Sequence, residues 1–400
     1  MECCKRRLGG LLMTLALVAW LLPATQAYAD QTIKIGNILA LTGPGASLGQ
    51  HMQQAQNLYM KLHNGDLPAG TKIELITRDD GSKPDDTRRL AQELIVRDRV
   101  QMIAGITLSP QGFSVAPVVT EAKIPAVLMN ATTGSITRSS PYIVRFSHSN
   151  WQMAYTLGEW AAKNNIKNVY TLVADYAAGI DMEAAFKRGF ADNGGTIVGS
   201  DRTPLTTTDF LPYMQRVKSA APQALFIFQI TGPATIATFK AYNDSGLREA
   251  GIPVIGSGDI VPDHELKQTG AAALGMINAS IYMAGLKNPA NEAFLKAWKA
   301  EYGDEAPPFE SVAAWDGMAA IYAAVTKLGS KASGDAAMDF LKNYKTDDAP
   351  QGPISIDPET RDIIQNVYLG KIERENGGYA NVPFETIKNV KDPWKVLNPK

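Results

Sequence analysis

The sequence predicts an α/β fold of two doubly wound, Rossmann-like lobes joined by a three-segment hinge. Three observations carry that expectation. Short apolar, β-prone runs alternate with helical patterns along most of the 400 residues. These runs form two sets of four to five that divide near Phe146 and Ser147. From Asn291 onward the alternation gives way to helices without strands of their own. Regular β-helix-β alternation implies parallel sheets with right-handed crossovers, and a chain of this length is expected to hold two domains.

The first set opens at residues 32–39, where Ile33 and Ile35 alternate with polar residues before Ile38-Leu39. A Gly- and Pro-rich loop follows, then a helix over 47–63 with Met52, Ala55, Leu58, Tyr59 and Leu62 on one side. Further strands are expected at 73–77, 102–104, 126–129, 169–174, 196–198, 224–228, 254–255 and 277–282, with helices at 87–97, 151–164, 183–193, 210–219 and 235–243. Leu225 to Phe228 is apolar throughout, as suits a strand covered on both faces. The late helices, 292–302, 311–328 and 335–344, must pack on a sheet built earlier, before strands return at 353–356 and 363–374. Residues 30–147 with 281–350 are therefore expected to form one lobe and 148–280 with 351–400 the other, with three crossings between them.

The N-terminus carries Lys5, Arg6 and Arg7, a mostly apolar run from Leu8 to Leu22, and Ala27-Tyr28-Ala29. This order of basic, apolar and small-x-small residues is expected to be a signal peptide over 1–29, cleaved before Asp30. The uninterrupted apolar stretch from Leu15 to Leu22 is short against the ~20 residues of a spanning helix. Both cysteines, Cys3 and Cys4, lie in that segment, so the remainder offers no thiolate nucleophile, zinc-thiolate site or disulfide. Of 39 basic and 40 acidic residues the segment holds Lys5, Arg6, Arg7 and Glu2, leaving 36 and 39 and a net charge of about −3. No polybasic face is implied, which disfavours nucleic acid and anionic membrane as partners.

Signatures of catalysis and of cofactors fail in detail. Gly43-Pro44-Gly45-Ala46-Ser47-Leu48-Gly49 follows a strand and opens a helix, but the third glycine of a dinucleotide fingerprint would fall on Leu48, and no Lys-Ser or Lys-Thr follows as in a P-loop. His51, His63, His148 and His264 lack metal-ligand spacing. No Gly-x-Ser-x-Gly elbow is present, so Ser109 has no visible base partner. Asp79-Asp80 and Asp347-Asp348 read as turn and surface residues, and Asp209 as a helix cap before Phe210. Neither a cofactor nor enzymatic activity is expected.

In open α/β sheets ligands sit outside the carboxyl ends of the strands. The corresponding loops are 41–49, 105–112, 130–137, 175–181, 229–233 and 257–263, rich in Gly, Ser, Thr and Asn. They suit a small polar head group held by hydroxyls and backbone donors. Residues 132–135 also favour a plain strand-end turn.

Over nearly the whole chain after residue 30 the sequence resembles the type I periplasmic binding proteins, in the branch serving leucine, isoleucine and valine. The resemblance rests on Ile33-Lys34-Ile35-Gly36, Leu41-Thr42-Gly43-Pro44, Ile124-Pro125-Ala126, Asn130-Ala131-Thr132-Thr133, Asp175-Tyr176-Ala177-Ala178-Gly179, Gly256-Ser257-Gly258-Asp259 and Ala313-Ala314-Trp315-Asp316-Gly317-Met318. It implies a periplasmic substrate-binding protein of an ABC importer, monomeric, that closes on a small carboxylate and presents it to a membrane permease. By the family pattern the head-group site is matched by Ser109 and by the segment Ala131-Thr132-Thr133: the Ser109 hydroxyl and nearby N–H groups hold the carboxylate, and the Ala131 carbonyl and Thr133 hydroxyl receive an ammonium or bind further oxygens.

Departures from that pattern bear on the ligand. Leu48 stands where leucine-type receptors place an aromatic wall, and Ala178 replaces the common Tyr before Gly179. Asp259 falls near the acid that meets the ligand ammonium. Gln229, Ile230 and Thr231 occupy a loop that often holds Tyr, and Trp151 is a candidate replacement stacking surface. Two lost rings imply a wider pocket and a bulkier carboxylate, for example an aromatic acid, beside the plain amino-acid reading. A sensory receptor of the same fold and an exported α/β hydrolase are the competing classes.

Overall fold

The computed structural model describes residues 31–375 and 377–399, so the basic and apolar N-terminal segment and its cleavage site lie outside the described residues. Among the described residues no helix is long and apolar enough to cross a membrane.

Among the described residues fourteen strands build two sheets. The first holds β1 (Gln31–Leu39), β2 (Thr71–Asp79), β3 (Met102–Gly105), β4 (Ala126–Leu128) and β5 (Ile143–Arg145) in the order β2-β1-β3-β4-β5, all parallel. The second begins with β6 (Asn168–Ala174), β7 (Thr196–Thr203), β8 (Ala224–Phe228), β9 (Val254–Ser257) and β10 (Ile277–Ser280), parallel in the order β7-β6-β8-β9-β10. Three later strands extend it antiparallel, namely β11 (Lys345–Thr346), β12 (Ile354–Ile356) and β13 (Ile363–Glu375), and β14 (Gly378–Val390) pairs with β13. The expected two-lobed α/β class is the observed one.

Each parallel set has the same strand order, so each has a switch point, between β1 and β3 and between β6 and β8. Loops diverge there and leave a crevice at the carboxyl ends. The chain passes from the first sheet to the second through Phe146 to Ser149. The next helix, Asn150–Lys163, is capped by the Ser149 hydroxyl and packs on helix Ala177–Asp192. After β10 the chain turns back, and helix Phe309–Leu328 packs on helix Ala46–His63. It then enters β11 and the antiparallel end of the second sheet. Burial follows the sequence pattern: β8 is buried at all five positions, and Ile33 and Ile35 of β1 are fully buried.

One glycine device recurs in both lobes. A Cβ on Gly49 would lie 2.0 Å from the Ala40 carbonyl oxygen, and one on Gly179 would lie 1.9 Å from that of Ala174. Each glycine lets the helix after a switch-point strand sit directly on the strand end. Gly179→Ala is therefore expected to destabilise the fold by at least about 1 kcal/mol through overpacking against rigid backbone, as measured by the midpoint of urea unfolding.

Several elements differ from expectation. Helix Ser109–Ala122 occupies a stretch where the sequence pattern suggested a loop through residue 112, because Pro110 sits in the first turn, where its missing N–H costs nothing, although Pro117 falls inside the helix. Strand β14 escaped the periodicity reading because it pairs only with β13 and carries Pro383 at a register shift beside Gly370. The short strand β5 ends the first sheet, where only the lobe division was marked.

Candidate functional site

The loops leaving the two switch points meet in a narrow pocket whose cavity volume is only about 20 Å³. That is far below the ~300–1,000 Å³ of small-molecule sites, so the two sides are drawn together over it and must part to admit a ligand. The first-lobe side is formed by Leu48, Ser109, Asn130 and Thr132 with Phe309; the other side by Tyr176, Ala178, Phe228, Gln229, Thr231 and Asp259.

Ser109 is the first residue of helix Ser109–Ala122, directly after β3. Its Oγ accepts hydrogen bonds from the backbone N–H of Thr132 and of Thr133, both at 3.1 Å. Because both bonds are accepted, its own proton remains available to donate. The partial positive charge of the helix N-terminus favours an anion at the same place. Asn130 donates through Nδ2 to the Thr107 carbonyl at 2.7 Å, which leaves its Oδ1 without a partner.

The walls are aromatic. Tyr176 and Phe228 lie nearly parallel, with centroids 6.3 Å apart and an interplanar angle of 11°, and Phe309 adds a third ring. At the second-lobe end the Thr203 hydroxyl donates to Gln229 Oε1 at 3.2 Å, so Gln229 Nε2 is left as an unpaired buried donor. Asp259 Oδ1 is an unpaired buried acceptor, and burial pushes the carboxyl up to about 7. The Thr231 hydroxyl is already used, donating to the Asp259 carbonyl at 2.7 Å. Buried polar atoms without partners are costly. Here they converge on one pocket, and a ligand with complementary groups would satisfy them.

Seven of the ten residues singled out from the sequence line this pocket: Leu48, Ser109, Thr132, Ala178, Gln229, Thr231 and Asp259. Three do not. The Ala131 and Thr133 carbonyls face Arg145, whose Nη1 lies 3.5 and 2.8 Å from them, so a buried cation already stands on that side of the segment. The Thr133 hydroxyl is buried without a partner and lies outside the lining. Trp151 is not the stacking surface: its indole N–H donates to Asp181 Oδ1 at 2.9 Å, and its ring lies beside Gly134. Beside Leu48 and Ala178, where the family pattern places rings, Tyr176, Phe228 and Phe309 line the pocket. Tyr176 was within reach of sequence reasoning, two residues before Ala178 in the same loop. Phe309 was not, since it comes from a helix some 200 residues further along the chain.

The sequence model of the periplasmic binding protein family matches residues 32–378. The chain is a periplasmic binding protein. It is 37% identical over 381 residues to a Leu/Ile/Val-binding protein homolog of Brucella melitensis, covering 94% of this chain and 97% of that one. Among solved structures it resembles a solute-binding protein of an ABC transporter from Rhodopseudomonas palustris BisB5, in complex with 3,4-dihydroxybenzoic acid. The identity is 45%, the TM-score 0.87, and 91% of this chain and 99% of that one are covered. A second R. palustris solute-binding protein, in complex with 4-hydroxybenzoate, is 38% identical with a TM-score of 0.87 over 92% and 100% of the two chains. This periplasmic binding protein is accordingly a solute-binding protein of the ABC-transporter type, which is what the family resemblance implied.

Proposed function

We propose that this periplasmic binding protein captures a ring-hydroxylated aromatic carboxylate of the hydroxybenzoate type by closing its two lobes, and delivers it to an ABC permease without chemical turnover. In this reading a signal peptide over 1–29 directs export, the protein acts as a monomer, and residues 30–147 with 281–350 hinge against 148–280 with 351–400. The observation that carries it is the polarity of the pocket from end to end. Ser109 at a helix N-terminus offers a proton to a carboxylate, three rings flank a planar body, and Gln229 Nε2 and Asp259 Oδ1 wait at the far end as one donor and one acceptor.

A ring hydroxyl donates and accepts at once, so it completes both orphans; an ammonium only donates and would leave the Gln229 amide facing another donor. Binding two R. palustris relatives to hydroxylated benzoates supports the same class. The kinship with Leu/Ile/Val-binding homologs favours a branched-chain amino acid as the second reading, with Asp259 as the ammonium partner. Closure follows from differential affinity, since ligand contacts to both sides exist only in the closed state.

Calorimetric titration with leucine, isoleucine, phenylalanine, benzoate, 4-hydroxybenzoate and 3,4-dihydroxybenzoate separates the two readings. The expected result is binding of 4-hydroxybenzoate about tenfold tighter than benzoate, the worth of one added hydrogen-bonded group, and no heat with leucine. Tight leucine binding with no response to the aromatic acids would reverse the assignment.

A further inference from the structure

Behind the ligand pocket a second group of polar side chains meets across the cleft. His51 of helix Ala46–His63 and Glu310 of helix Phe309–Leu328 come from the first lobe, and His51 Nδ1 lies 2.9 Å from Glu310 Oε1. His264 and Glu265 follow β9 in the second, with His264 Nε2 3.9 Å from Glu265 Oε1. The two imidazoles meet edge to face at 4.7 Å between centroids. Glu310 is fully buried and Glu265 is 5% exposed, yet Glu310 Oε2, Glu265 Oε2 and His264 Nδ1 all lack partners. None of the four lines the ligand pocket. Among the described residues no set of His, Cys, Asp or Glu is arranged to hold a metal ion, so the ligand that suits this cluster is the proton.

We propose that closure of the lobes over this cluster takes up protons, so that ligand capture and proton binding are coupled. The inference rests on the hinge-closure reading given above. Opening would part His264 and Glu265 from the first lobe and return them to water, while the His51–Glu310 pair, carried by two helices of one lobe, stays together and loses only the charge of Glu265. In the closed state burial, with the charge of Glu310 beside it, pushes the Glu265 carboxyl up to about 7. Burial draws His51 down, but its hydrogen bond to Glu310 and the charges of Glu310, Glu265 and Glu305 outweigh this, and its imidazole ends raised. His264 ends lowered by burial and opposes the other two. Asp259, on the pocket side, is raised by burial and also senses Glu310.

The sign follows by linkage. A carboxyl whose closed-state value lies above its open-state value binds more protons when closed, so closure strengthens as pH falls from above 7 toward the ordinary carboxylate range. Between pH 8 and pH 6 a shift of that size at Glu265 alone tightens ligand binding about tenfold.

The test is calorimetric titration of the mature protein with 4-hydroxybenzoate at pH 6, 7 and 8 in buffers of different ionisation heat. The expected result is net proton uptake at pH 7 and at least about tenfold tighter binding at pH 6 than at pH 8. Glu265→Gln is expected to keep the pH 6 affinity and to lose about tenfold of the pH dependence. His51→Asn, which removes the His51 share, serves if the first variant does not fold. Binding with no proton uptake, or an unchanged pH dependence in a folded variant, overturns the proposal. If 4-hydroxybenzoate does not bind, that failure belongs to the ligand assignment, and small-angle scattering of the free protein decides the coupling. The wild-type radius of gyration is expected to be smaller at pH 6 than at pH 8 and that of Glu265→Gln invariant; an invariant wild type overturns it.

Discussion

Replacing Arg145 by Met is expected to lower the stability of the fold by about 3–5 kcal/mol. Arg145 ends β5 and is fully buried. Its Nη2 lies 2.5 Å from Asp362 Oδ1 and 3.6 Å from Asp392 Oδ2. Lys395, also buried, pairs with the same two carboxylates at 2.5 and 3.4 Å and donates to the Gly134 carbonyl at 2.6 Å. The four charges balance. Without the guanidinium, two buried carboxylates face one ammonium, and the uncompensated charge, rather than a lost contact, sets the cost. The cluster also joins the end of the first sheet to the segments before β13 and after β14 of the second, and it holds the Thr133 carbonyl. Urea unfolding of Arg145→Met measures the effect. A loss below about 1 kcal/mol, the scale of an exposed pair, would show that the network is hydrated and structurally minor.

That cluster also marks the limit of what the sequence discloses. Arg145, Asp362, Asp392 and Lys395 are scattered over some 250 positions, and each alone reads as a solvated charge. Only the fold brings them together. The strands and helices of the parallel sets were legible because periodicity is local and parallel strands are buried on both faces. Ser109, Gln229 and Asp259 were legible as pocket residues because the rule of strand carboxyl ends marks their loops and the family resemblance picks them out within those loops. Trp151 misled for the complementary reason: a large ring near a crossing satisfies its indole N–H wherever an acceptor is nearest, and here that is Asp181. The acid cluster behind the pocket was invisible, since His51 and His264 are more than 200 residues apart.

Ser109→Ala is expected to weaken carboxylate binding by about 1.5–3 kcal/mol, a tenfold to 150-fold rise in Kd. Two effects act in the same direction. The bound anion loses a charge-assisted hydrogen bond, worth roughly twice a neutral one. The N–H groups of Thr132 and Thr133 lose the oxygen that accepts from both of them, so the loop that shapes this end of the pocket loses its anchor. Thr133→Val separates the two effects. It removes a hydroxyl outside the pocket lining but keeps the backbone N–H bonded to Ser109, and is expected to change affinity by no more than ~0.5 kcal/mol. Titration of both variants with 4-hydroxybenzoate provides the measurement. An unchanged Kd for Ser109→Ala would take Ser109 out of the binding site. A large loss for Thr133→Val would move the head-group contact from the helix N-terminus to the loop after β4.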